Sequence, residues 1–170
     1  MCKNATATAA ALMAGIEPTL TSFLNLEGVP ADTQATVLTA YETAQQAVAQ
    51  WTPGSTPTVA VEAVQAVNSV FQTLPVPDVD KAFAGIITAG FTSVIAIIEA
   101  NSTTDPVEQN AITAKAVTDV NTLAPGAFKY HKGVFQVFQA SPAKAYHDAW
   151  HKQVENAVKL DTKYAALRVA

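Results

Sequence analysis

Residues 82–98 read AFAGIITAGFTSVIAII, a run without a charged side chain between Lys81 and Glu99. Such a run is either a membrane span or the centre of a helical core. A spanning helix takes about 20 predominantly apolar residues; this run is shorter and contains Gly85, Thr88, Gly90, Thr92 and Ser93. Phe83, Ile87, Phe91, Val94, Ile95 and Ile98 recur at helical spacing and cover most of the circumference. The run therefore predicts a helix buried on nearly all sides at the centre of a bundle. A helix of that kind needs others to cover it, and the rest of the chain supplies them.

Upstream, Leu12, Ile16, Leu20 and Phe23 fall on one helical face, interrupted by Pro18. Proline has no amide to bond the carbonyl of Ala14, so the helix is expected either to kink or to begin at Pro18 behind a frayed Ala/Thr lead, with residues 1–10 a flexible tether. A second helix is expected from Asp32, as N-cap, to Trp51, with Val37, Tyr41, Ala44, Val48 and Trp51 as its seam. After the breaker-rich Pro53-Gly54-Ser55-Thr56-Pro57, a third carries Val61, Val64, Val67, Phe71 and Leu74 and is ended by Pro75 and Pro77. Asp78 is expected to cap the fourth, central helix. A faint repeat relates 22–45 to 70–92 once Gly28 is skipped: Phe23 matches Phe71, Leu26 matches Leu74, and Val29-Pro30 matches Val76-Pro77. Residues 11–101 thus read as two tandem helical hairpins making an up-and-down four-helix core.

Downstream, Asp105-Pro106-Val107-Glu108 combines an N-cap, a proline at the first helical position and a Glu placed to reach back. Ile112, Ala116, Val120 and Leu123 form that helix's stripe. Beyond the turn at 124–126, Phe128, His131, Phe135 and Phe138 keep helical spacing, which favours a helix, with an extended Val134-Phe135-Gln136-Val137-Phe138 run as the alternative. Ser141-Pro142 opens a last helix with Tyr146, Trp150, Val154, Ala157, Leu160, Tyr164 and Leu167 on its buried side. The expected fold is all-α, a single domain of six to seven helices over residues 1–170, with helices from the basic, aromatic-rich 102–170 added to the four-helix core.

Composition fits a chain that collapses. Apolar residues make up 49% and charged residues 14% of 170, so charge repulsion does not hold the chain open. The net charge of −4 is unevenly spread: residues 1–120 carry three cations against eleven carboxylates, and 121–170 carry seven against three. A basic tail can meet an anionic surface or dock on the chain's own acidic front. Phe128, Tyr130, Phe135, Phe138, Tyr146, Trp150 and Tyr164 interleave with Lys129, Lys132, Lys144, Lys152 and Lys163. Their spacing points the rings inward and the lysines outward, which favours an ordinary amphipathic layout over nucleic-acid binding and leaves membrane-surface contact as a lesser alternative.

Catalytic patterns are missing from the sequence. The seven glycines are scattered, no Gly-x-Ser-x-Gly elbow occurs, and pairs such as Asp78/Asp80 sit at helix starts, where capping and the helix dipole account for them. The expectation is a non-enzyme without a cofactor. The sharpest chemical feature is the histidines. His147 and His151, four apart, share a helix face at a spacing that can chelate a metal, and His131 lies upstream on an apolar stripe. A structural or catalytic zinc wants three or four ligands, so these three are weak candidates, and a metal- or cofactor-binding bundle is an alternative function.

Cys2 is the single cysteine. A lone Cys behind Met1, followed by Lys3-Asn4 and an Ala/Thr stretch, resembles the mature start of bacterial lipoproteins. That resemblance implies lipid attachment at Cys2 and a place in the cell envelope, periplasmic or outer-membrane-anchored, with Lys3 pointing to the outer membrane. The expected function is accordingly a structural or interaction module presenting a helical surface to a protein partner. The alternatives are a cytoplasmic location and an intracellular or phage-associated scaffold that packs against copies of itself.

Overall fold

The uncharged run becomes the hub of a helical bundle. The computed structural model describes residues 4–126 and 141–169. In chain order these form α1 (Ala5–Leu26), α2 (Ala31–Gln50), α3 (Thr58–Gln72), a 3-10 turn (Asp78–Asp80), α4 (Lys81–Ala100), α5 (Pro106–Leu123), α6 (Pro142–Val158) and a second 3-10 turn (Thr162–Leu167). No strand occurs among the described residues.

Within α4 no position from Phe83 to Ala100 is exposed, because α1, α3, α5 and α6 all pack against it. With the preceding turn, α4 is long and apolar enough to cross a membrane, at a mean hydropathy of 1.8. Here that apolar surface is covered by other helices. α1 packs on α2, α2 on α3, α3 on α4, and α4 back on α1. This ring, joined by short connections, is the up-and-down four-helix core expected of two tandem hairpins. The repeat has a structural counterpart: the matched Phe23 and Phe71 rings lie 5.9 Å apart. Their matched prolines also bend the chain alike, Pro30 at φ −55°, ψ 145° and Pro77 at φ −56°, ψ 148°.

Two glycines set how closely the outer helices approach. A Cβ at Gly85 would stand 2.1 Å from the Leu123 carbonyl oxygen, so the end of α5 lies directly on the α4 backbone. A Cβ at Gly90 would stand 2.7 Å from the Tyr146 ring, which fills that notch from α6. Tyr146 is fully buried and its hydroxyl meets Thr19 Oγ1 on α1 at 2.5 Å, while the buried Tyr41 hydroxyl donates to the Met13 carbonyl. Burial raises the pKa of both phenols well above the usual tyrosine range. Phe83 joins α4 to the C-terminal segment, with its ring 5.2 Å from Trp150 and 5.6 Å from Tyr164. Trp150 Nε1 donates to the Leu167 carbonyl at 2.9 Å.

Several local expectations need correction. α1 runs unbroken through Pro18 and starts at Ala5, with Ala5 and Ala9 fully buried, so residues 5–10 belong to the core and not to a frayed lead or tether. Pro18 and Ala14 both face outward, where water can bond the freed carbonyl. α2 is preceded by Pro30 as N-cap; Asp32 falls in its first turn, where its charge suits the dipole. Asp78 belongs to the 3-10 turn before α4 and pairs with Lys81 at 2.5 Å instead of capping. Asp105 does cap α5, accepting from the Val107 amide at 2.9 Å, while Glu108 accepts from Thr103 Oγ1 instead of reaching back to the cap. The buried stripe of α5 is Thr113, Ala116 and Val120, with Ile112 and Leu123 half-buried. Pro142 opens α6, but Ser141 is left-handed (φ 60°) and makes no side-chain cap. α6 stops at Val158, which leaves Leu160 89% exposed; the turn capped by Asp161 then restores Tyr164 and Leu167 to the core. The helix expected over Phe128, His131, Phe135 and Phe138 lies outside the described residues.

Candidate functional site

Ionisable side chains from three remote parts of the sequence meet where α1 stops and α4 starts. Asp80, at the N-cap of α4, is 3% exposed, and its Oδ1 accepts a hydrogen bond from the Tyr164 hydroxyl at 2.7 Å. Glu27, at the C-cap of α1, is half-buried and its carboxyl lies near that of Asp80. Burial is the main reason that the Glu27 pKa is raised from 4.5 to about 6; the nearby charge of Asp80 adds to this, and Lys163 opposes it. Tyr164 is pushed up to about 12, first by its bond to Asp80 and then by burial. Lys163 Nζ stands 4.8 Å from the centroid of the Tyr164 ring, whose other contact is Phe83.

Glu27 can thus keep its proton up to about pH 6, and the Tyr164–Asp80 bond fastens the C-terminal turn to the end of the bundle. It also gives a physical form to the docking of the basic tail on the acidic front. The contact is made by a tyrosine, an aromatic stack and the nearby Lys163 charge. The ion pairs in the described segments are local or internal to one segment, as in Lys115–Asp119, Lys144–Asp148 and Arg168–Glu155. The sequence marks Asp80 as a helix-start residue and Tyr164 as a core aromatic of the last helix, but does not connect the two or mark Glu27. An Asp directly before a long apolar helix was the available signal; its partners lie 53 and 84 positions away.

The histidines are partly placed. His147 and His151 both lie on the exposed face of α6, their rings 6.1 Å apart and within 7° of parallel. His147 Nδ1 is 3.9 Å from Asp148 Oδ1. The adjoining stripe of the same helix buries Tyr146, Trp150 and Val154, so the pair borders the core. Among the described residues, no three His, Cys, Asp or Glu side chains gather as a metal site. His131 and Cys2 lie outside the described residues, so neither the convergence of three imidazoles nor the surroundings of the thiol enter this geometry. Comparison with known proteins finds no family model, no curated protein and no solved structure that this chain matches. The chain's own residues must therefore carry any functional reading.

Proposed function

We propose that this protein is a non-catalytic helical module of the bacterial cell envelope, held at a membrane through a lipid on Cys2 and working by presenting a helical surface to a protein partner. The observation that carries the reading is the position of Cys2 relative to α1. The cysteine precedes Ala5 by three residues, and from Ala5 onward α1 is packed into the core. Acyl chains on Cys2 would hold the bundle end-on and close to the bilayer, with little slack. Two lipid signals or more give stable anchoring, whereas one chain gives marginal binding, so a diacyl or triacyl Cys2 is the form expected.

Intact-mass measurement on protein isolated from the membranes of its native host tests the reading. The expected result is added acyl mass that maps to the peptide containing Cys2 and is lost in Cys2→Ser, which moves to the soluble fraction. An unmodified Cys2 in membrane-derived protein would overturn it.

A further inference from the structure

The exposed histidine pair on α6 is used neither by the core nor by an anchor at Cys2. We propose that His147 and His151 form a two-imidazole chelate for a borderline divalent ion of the Cu(II), Ni(II) and Zn(II) class. Residues four apart stand on one helix face, and the rings already lie side by side, 6.1 Å between centroids and within 7° of parallel. Imidazole nitrogens bind such ions at about 2.0–2.1 Å. Closing on an ion needs the two rings to turn one nitrogen each toward a common point, and both side chains are exposed. The backbone needs no ordering, because the adjoining stripe of α6 is anchored by the buried Trp150 and Val154.

His147 also has a carboxylate companion that is itself held in place. Asp148 Oδ1 stands 3.9 Å from His147 Nδ1, and Asp148 is gripped by Lys144 at 2.5 Å. A carboxylate beside one ring nitrogen favours the tautomer that keeps its proton there and leaves the other nitrogen for the ion. The ion would hold two nitrogens and water, with positions left open. Nitrogen donors of this kind bind Cu(II) most tightly of the three ions.

The test uses the full chain in a Cys2→Ser background, which removes a competing thiol, and titrates Cu(II) calorimetrically at pH 7.5 with electron paramagnetic resonance on the complex. One ion per chain is expected, with couplings from two imidazole nitrogens. His147→Ala and His151→Ala should each weaken binding by about tenfold or more without moving the metal-free melting curve. Either single variant binding as the parent does, or a resonance pattern set by backbone amides or the chain terminus, would overturn the chelate. None of these outcomes depends on whether Cys2 is lipidated.

Discussion

Replacing Glu27 by Gln isolates the titration of Glu27 at the junction of α1, α4 and the C-terminal turn. Glu27 binds its proton more tightly folded than unfolded, its pKa rising from 4.5 to about 6. Its stabilising effect is complete below about pH 4.5 and is lost as the pH climbs through 6, because two carboxylates then face each other beside a buried site. A rise of that size corresponds to at most about 2 kcal/mol. Glu27 is only half-buried, and solvent screening brings the expected value to about 1 kcal/mol. Glutamine keeps a donor for Asp80 and cannot ionise. The variant should therefore match the parent near pH 4.5 and exceed it by about 1 kcal/mol at pH 7.5, a gain of about 2–4 °C in melting temperature. Thermal unfolding followed by circular dichroism across this range, taken as variant minus parent, cancels the other titrating groups. Among those, Asp78, Asp148 and Glu155 have lowered pKa values and Glu99 a raised one. A difference that stays constant with pH, or a variant weaker than the parent at pH 7.5, would refute the raised pKa of Glu27.

Tyr164→Phe leaves the buried Asp80 carboxylate without its phenol donor, and should cost about 1–3 kcal/mol in urea unfolding while speeding amide exchange in 162–167. Gly85→Ala drives a methyl into the Leu123 carbonyl and should cost about 1–3 kcal/mol or more, with early loss of protection in α5; an unchanged unfolding midpoint would show that the two helices do not approach so closely. Pro18→Ala restores an amide donor for Ala14 on an exposed stretch of α1 and should stabilise the chain by about 1–3 kcal/mol, read as a higher urea midpoint.

The parts of the fold legible in the sequence are those set by neighbouring residues. Phe83 to Ile98 announce a helix that must be covered on all sides, Asp105-Pro106 announces a helix start, and the match of Phe23 with Phe71 anticipates two rings in contact. Sequence periodicity fails where tertiary contacts take over. Pro18 reads as a break, but the buried residues on both sides of it hold α1 together. Leu160 keeps the spacing of the final stripe and is nevertheless exposed, because the chain turns at Val158 and Asp161 starts a new local geometry. The carboxyl junction was the least legible feature. Glu27 looks like a surface residue, Asp80 like a helix-start residue and Tyr164 like one more core aromatic until the bundle closes and brings them together.

The two poles of the bundle are fastened by different chemistry. At the pole where α1 begins, Thr6 Oγ1 donates to the Trp51 carbonyl at 2.8 Å and the Gly54 amide donates to the Asn101 carbonyl at 3.0 Å. Those are neutral bonds that acid or base in the physiological range leaves alone. At the pole of Glu27 and Tyr164, Glu27 carries a proton that the surroundings can remove. A rise in pH through about 6 would thus loosen one tip slightly while the other stayed unchanged, and a protein tethered by its unresponsive tip would have its responsive tip pointing away from the support.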